Sequence, residues 1–434
     1  MITSRATLVQ PARALRGALR VPPDKSMSHR YALLGAMADG VTTIDHYSTG
    51  ADCLSTLDCL EALGTAVQRT QRHDGLSVRI TGRPQGFVPA RHEVDCGNSG
   101  TTMRLLAGML ASQPFATTLV GDASLTGRPM RRVMAPLIAM GAQIASSEGG
   151  RPPLRITGGP LGAITHTPEV PSAQIKSAVL LAGLRARGIT VVVEPAATRD
   201  HTERALAAFG VHLDRSAPDR LGVTGGATLT GGLELRVPGD PSATAFLAVA
   251  AAGLDGSAID IEDVGLNPTR TALFDVLRRA GASVTTIETA TWHGEPVGRV
   301  HVTTGGRLAL VIAPDEVPLL IDELPALAAL ATFGGSIEVH GAGELRVKES
   351  DRITALVDGL RAMGADADEY PDGFTVRGTR RLTGGSVDAR HDHRLAMSFA
   401  VAALGATGPT HITGAEVAAV SFPGFFETLD RLRA

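Results

Sequence analysis

The sequence predicts an α/β protein of two domains, each assembled from three units of the βαββαβ type. Length is the first ground, since 434 residues exceed what one core ordinarily holds. Repetition is the second. A small polar cluster, an Ala/Leu-rich stretch of helical period, a short β-like run and a second amphipathic helix recur six times. The third is a pair of Pro/Gly-rich joints, Val21-Pro22-Pro23-Asp24 and Val237-Pro238-Gly239-Asp240, which resemble each other. A chain that crosses between domains at both joints places residues 22–238 in one domain. Residues 1–21 and 239–434 then form the other, with a substrate cleft expected between the two.

Each element has a local reason. The polar clusters begin near Lys25, Asn98, Ser172, Asp240, Asp322 and Asp392, and each opens an apolar helix. Second helices end near Gly64, Gly141, Gly210, Gly281 and Gly364, and the last runs to the C-terminus. Glycine at these stops fits a left-handed C-cap. The β-branched runs 190–193 and 336–339 read as strands. A unit spans about 70–80 residues, longer than a solenoid repeat.

Composition narrows the function. Hydrophobic residues make up 44% and charged residues 20%, so a large core is available and disorder is disfavoured. Aromatics are 3% and formal net charge is -3, which argues against nucleic-acid binding. No apolar run approaches the roughly 18 residues that span a bilayer. Residues 1–17 lack the apolar core of a signal peptide. The 3 cysteines, Cys53, Cys59 and Cys96, make no disulfide framework. A soluble, cytoplasmic protein is expected, acting as a monomer on small molecules.

The lysines are informative because there are so few. Only Lys25, Lys176 and Lys348 occur, each beside small polar residues, while arginine does the generic surface work. Lysine supplies a compact, titratable point charge that arginine does not. Helix starts present free N–H groups and partial positive charge. Here they stand near Lys25, Arg30, Arg104, Arg128, Arg131, Arg199, Lys348, Arg352 and Arg394. Several cations at several helix starts point to ligands with several anionic groups. No Walker motif and no dinucleotide fingerprint is present, which disfavours a nucleotide enzyme. The His391-Asp392-His393 run and the His201, Glu203 pair lack a third metal ligand, so no metal is expected. Nothing marks Cys96 as an activated nucleophile.

Six motifs, in order, carry a resemblance over essentially the whole chain. They are Asp24-Lys25-Ser26-Met27-Ser28-His29-Arg30, Gly97-Asn98-Ser99-Gly100-Thr101-Thr102-Met103-Arg104 and Leu125-Thr126-Gly127-Arg128-Pro129-Met130. Then come Ser172-Ala173-Gln174-Ile175-Lys176-Ser177, Arg346-Val347-Lys348-Glu349-Ser350-Asp351-Arg352 and Asp392-His393-Arg394. Together they closely resemble the 5-enolpyruvylshikimate-3-phosphate synthase (3-phosphoshikimate 1-carboxyvinyltransferase) members of the enolpyruvyl transferase family. Arg199-Asp200-His201-Thr202-Glu203 and Asn267-Pro268-Thr269-Arg270 resemble patterns of one branch of it.

The resemblance implies a two-domain inverse α/β barrel-like fold with three βαββαβ units per domain. It implies transfer of the enolpyruvyl group of phosphoenolpyruvate to the 5-hydroxyl of shikimate 3-phosphate, with release of phosphate and no cofactor. By similarity, Lys25, Ser26, Arg30, Ser172, Ala173, Gln174, Arg199, Asp322 and Lys348 meet shikimate 3-phosphate. Lys25, Asn98, Gly100, Arg128, Arg352 and Arg394 meet phosphoenolpyruvate. Asp322 takes the hydroxyl proton, Glu349 manages the proton at the phosphoenolpyruvate methylene, and Lys25 also stands in the catalytic centre.

Departures from the pattern are few. Pro23 replaces the usual Gly before Asp-Lys-Ser, Thr198 stands where Ser is common, and Val420 occupies a place where some members carry Lys. A related enolpyruvyl transferase acting on UDP-N-acetylglucosamine is the alternative. It is expected to carry a cysteine in the loop resembling 120–129, and none of the 3 falls there. A DNA clamp also has six units, but its inner face is basic, whereas these clusters contain the acids Asp322 and Glu349.

Overall fold

The Ala/Leu-rich stretches after the polar clusters fold as six buried helices. They are Lys25–Met37, Gly100–Leu110, Ala173–Gly183, Pro241–Gly253, Leu324–Ala331 and His393–Leu404. Every residue of the last three is buried. A helix that is apolar all round belongs in a core rather than at its edge. Five of the six start on a side-chain cap. Asp24 accepts from Met27 N, Ser99 from Thr102 N, Ser172 from Ile175 N, Asp240 from Ser242 N and Asp392 from Arg394 N. The Leu324–Ala331 helix instead has Pro325 in its first turn, where the missing N–H costs nothing.

The computed structural model describes residues 6–73, 75–305, 307–379 and 381–434. The chain divides into two compact units. One comprises Pro23–Val237 with the hairpin tip Trp292–Glu295. The other comprises the described residues up to Pro22 together with Pro238–Thr291 and Pro296–Ala434. Each unit has its own apolar cluster, built on three of the six helices.

In the first unit, Glu234–Arg236, Val41–Tyr47, Gly75–Thr81 and Ala66–Arg72 form one four-stranded sheet in that order. Val94–Asp95, Ala116–Val120, Arg151–Thr157 and Gln143–Ser147 form a second. Thr165–His166, Ile189–Val193 and Arg220–Thr224 form a third, where Asp214 bridges Gly222 in place of a fourth strand. The second unit repeats the plan. Its sheets run Arg16–Arg20, Ala258–Gly265, Glu295–Thr303, Ser283–Trp292; then Ala309–Ile312, Ser336–Val339, Gly373–Arg377, Asp366–Tyr370; then Gly385–Asp388, Thr410–Thr413, Thr7–Val9. In each sheet the leading strand is parallel to the second, and the second is antiparallel to the third.

The order of elements inside a repeat is strand, helix, strand, helix, strand, strand rather than the expected βαββαβ. Parallel neighbours need a crossover, and the buried helix provides it. The antiparallel hairpin needs only a tight turn, so both of its strands follow the second helix. Two leading strands are exchanged. Arg16–Arg20 precedes the Lys25–Met37 helix but pairs in parallel with Ala258–Gly265. Glu234–Arg236 precedes the Pro241–Gly253 helix but pairs in parallel with Val41–Tyr47. Gly64, Gly141, Gly210, Gly281 and Gly364 all adopt positive φ, between 81° and 117°, as left-handed stops require. Among the described residues, no helix is long and apolar enough to cross a membrane.

Candidate active site

The predicted site residues fall in two clusters, one per unit. In the first unit they gather at the starts of its three buried helices. The Lys25 ammonium, at the head of Lys25–Met37, pairs with Asp52 at 2.8 Å. Arg30, one turn on, is buried. Its Nε donates to Thr202 Oγ1 at 2.7 Å, Nη1 to the Ser26 carbonyl at 2.9 Å and Nη2 to Ser177 Oγ at 3.0 Å. Much of this guanidinium therefore serves as an internal strut.

Around the Gly100–Leu110 helix start, Arg128 Nη2 donates to Asn98 Oδ1 at 2.6 Å and to Ser124 Oγ at 3.1 Å. Asn98 Nδ2 donates in turn to Asp122 at 2.7 Å. A Cβ on Gly100 would lie 2.6 Å from Arg104 Nη1 and 3.3 Å from Arg128 Nη1, so any larger residue here would push the end of the Arg104 side chain aside. Arg104 Nη1 donates to Gln174 Oε1 at 2.8 Å, and Gln174 Nε2 donates to Thr101 Oγ1 at 2.9 Å. Gln174 follows Ser172, whose hydroxyl caps the Ala173–Gly183 helix. Arg199 lies in the connection between the strand Ile189–Val193 and the helix His201–Ala208.

The second unit brings Asp322, Lys348, Glu349, Arg352 and Arg394 together. Asp322 Oδ1 lies 3.6 Å from Arg352 Nη1, and Oδ2 lies 3.6 Å from Arg394 Nη2. The Asp322 carbonyl also accepts from Arg394 Nη1 at 2.6 Å. Arg352 is 1% exposed and donates from Nε to Asp392 Oδ2 at 2.7 Å; it also pairs with Glu349. Its Nη1 is buried and makes no hydrogen bond, which leaves one donor facing Asp322 for a ligand oxygen. Burial works against the Arg352 charge, but Asp392, Glu349 and Asp322 outweigh it and hold its pKa above the usual arginine range. Burial lowers the Lys348 pKa and Arg352 adds to that, while Asp322 and Glu349 act in the opposite direction.

A buried polar network ends on Glu323, the residue after Asp322. Arg270 Nη2 donates to Asp240 Oδ1 at 3.0 Å and to Ser242 Oγ at 2.9 Å, and Ser242 Oγ donates to Glu323. Asn267 Oδ1 accepts from the backbone and hydroxyl of Thr269, forming the turn that presents Arg270.

The other marked residues have structural occupations. Glu203 pairs with Lys176, and His201 Nδ1 lies 2.7 Å from Glu295. Among the described residues, no group of three or more His, Cys, Asp or Glu is placed to hold a metal. All three cysteines are buried and free; a hydrogen bond to Cys59 is the main cause raising the Cys96 pKa, with burial adding to it. Val420 ends the short turn Ala415–Val420 and brings no charge to it.

The family profile described as EPSP synthase (3-phosphoshikimate 1-carboxyvinyltransferase) matches residues 9–429. The chain belongs to that family. The 3-phosphoshikimate 1-carboxyvinyltransferase of Koribacter versatilis is 46% identical over 429 residues, covering 99% of each chain. That of Halorhodospira halophila is 49% identical over 426 residues, 98% of this chain and 95% of the relative. The EPSP synthase structure from Acinetobacter baumannii superposes with a TM-score of 0.85 at 41% identity, covering 99% and 98% of the two chains. NikO, an enolpyruvyl transferase from Streptomyces tendae, shares the fold at a TM-score of 0.76 and 16% identity, covering 99% and 98%. The EPSP synthase family places this chain among the transferases of the shikimate pathway to aromatic amino acids. A UDP-amino sugar as acceptor is not favoured.

Reasoning from sequence missed Asp52, which pairs with Lys25 and has no signal outside the fold. It named Arg104 and Asp392 in their motifs but gave them no site role, and did not foresee that Arg104 bonds Gln174 or that Asp392 pairs with Arg352.

Proposed function

We propose that the two clusters divide the family's reaction between them, in a cytoplasmic monomer. The protein transfers the enolpyruvyl group of phosphoenolpyruvate to shikimate 3-phosphate. Lys25, Ser26, Arg30, Ser172, Ala173, Gln174, Arg199 and Lys348 hold shikimate 3-phosphate. Asn98, Gly100, Arg128, Arg352 and Arg394, with Lys25, hold phosphoenolpyruvate. The two anions repel each other, so cations are needed to place them together.

In the addition step Asp322 takes the proton of the 5-hydroxyl, whose oxygen bonds to C2 of phosphoenolpyruvate, while Glu349 gives a proton to C3. The tetrahedral adduct then loses a C3 proton back to a base, re-forms the C2–C3 double bond and expels phosphate. Each positioned acid or base contributes about 10²–10⁴-fold. The observation that carries this reading is the Asp322 carboxylate, 3.6 Å from both Arg352 and Arg394. A base and two anion-binding guanidinium groups share one spot, as attack on an anionic enol phosphate requires. Three buried, unpaired cysteines are in keeping with a reducing compartment.

Phosphate release from phosphoenolpyruvate tests the reading. It is expected only when shikimate 3-phosphate is present; release with UDP-N-acetylglucosamine in its place would overturn the assignment. The protonation of Lys348 gives a second check. Its pKa is lowered from 10.5, so the charge that holds anions is present below the lowered value and lost above it. The alkaline limb of kcat/KM is expected below pH 10.5, and Lys348→Arg is expected to move it upward at a reduced plateau. A limb that stays in place assigns the titration to another group.

A further inference from the structure

Lys176 is the one lysine that the proposed reaction leaves without a task, and it is 1% exposed. Its ammonium donates to Glu194 Oε2 at 3.0 Å and to Glu203 Oε1 at 2.7 Å. Both carboxylates are largely buried, at 13% and 6% exposure. Burial pushes the Glu203 carboxyl up in spite of Lys176, so the cluster is not a comfortable one. Apolar residues in place of all three members would desolvate no charge. Buried ion pairs of this kind are often no more stabilising than an apolar substitute. Stability is therefore a poor account of why a charge stands here.

The placement gives a better one. Glu194 directly follows the strand Ile189–Val193, and Glu203 lies in the first turn of the helix His201–Ala208. Between them runs the irregular segment that carries Thr198 and Arg199. Thr198 Oγ1 donates to the other oxygen of Glu194. One ammonium thus clamps both ends of the Arg199 segment. That ammonium sits on the helix whose start supplies Ser172, Ala173 and Gln174. The next residues along each strut repeat the link, since Ser177 Oγ and Thr202 Oγ1 are 2.6 Å apart and both receive Arg30.

We infer that Lys176 is a positioning residue that sets Arg199 against Ser172 and Gln174, and so fixes the geometry of the shikimate 3-phosphate subsite. The inference rests on the assignment of those residues to that substrate. The effect is expected on the shikimate 3-phosphate side, because the ammonium bonds to Glu194 and Glu203 at the two ends of the Arg199 segment.

Steady-state kinetics of Lys176→Met, with each substrate varied in turn, tests it. The KM for shikimate 3-phosphate is expected to rise by about ten- to a hundredfold, as misplacement of a substrate clamp does. The KM for phosphoenolpyruvate is expected to stay within about threefold. An equal rise in both, or no rise in either, would overturn the inference. Should Lys176→Met fail to fold, Glu194→Gln decides. It keeps the shape and the Lys176–Glu203 pair but presents an amide to the ammonium. A selective rise in the KM for shikimate 3-phosphate supports the clamp, and an unchanged KM refutes it. Arg199→Ala separates the two levels. If it leaves that KM unchanged, the assignment of Arg199 is at fault and the clamp has nothing to position.

Discussion

Asp322→Ala is expected to lower kcat by about 10²–10⁴-fold while substrate binding stays within about tenfold. The asymmetry follows from what surrounds the carboxylate. Its two oxygens face Arg352 and Arg394, each at 3.6 Å, and its carbonyl separately anchors Arg394 at 2.6 Å. The side chain can be removed while that backbone anchor remains. The loss takes away the acceptor for the hydroxyl proton and also a negative charge that competes with phosphoenolpyruvate for the two guanidinium groups. The KM for phosphoenolpyruvate is therefore expected to hold or fall as kcat collapses. Asp322→Asn, which keeps the shape, is expected to give the same collapse. Turnover within threefold of the parent in both variants would remove Asp322 from the mechanism, and a parallel rise in both KM values would recast it as a binding residue.

The helices at which these residues sit were legible because local chemistry announces them. Asp24, Ser99, Ser172, Asp240 and Asp392 are good caps, and each accepts the bond expected of it. Glycines at the second-helix stops take the left-handed backbone that only they adopt cheaply. Strand 336–339 was readable because Ile337 and Val339 alternate inward. What periodicity does not carry is who faces whom. Lys25 and Asp52 are 27 positions apart, and Arg352 and Asp392 are 40 apart. Only the finished packing brings either pair together. The same limit hid the internal use of Arg30, whose partners Ser177 and Thr202 lie 147 and 172 positions away. It also hid the order inside a repeat, because a short strand has the same two-residue period on either side of a helix.

Arg352→Met is expected to cost about 3–5 kcal/mol of stability, as removal of one partner from a buried ion pair does. Arg352 is 1% exposed and Asp392 is 0% exposed, so water cannot replace the lost cation. Asp392 cannot swing away either. Its carboxylate accepts the Arg394 backbone N–H at 3.0 Å as the helix cap, and Ser350 Oγ donates to it at 3.1 Å. The expected remedy is Asp392→Asn, which keeps a capping oxygen and discards the stranded charge. In the double variant the penalty is expected to shrink well below the sum of the two single penalties, because the charge left unpaired by the first change is gone. Denaturant titrations of the four proteins, followed by circular dichroism, read this coupling. A loss below about 1 kcal/mol in Arg352→Met, or simple additivity in the double variant, would show that the pair is solvated or otherwise compensated. Activity separates the two duties of the same guanidinium. If Arg352 also holds phosphoenolpyruvate through its free Nη1, the double variant regains stability but stays inactive, since methionine offers the anion nothing. Recovery of both together would mean that Arg352 acts only by holding Asp392 in place.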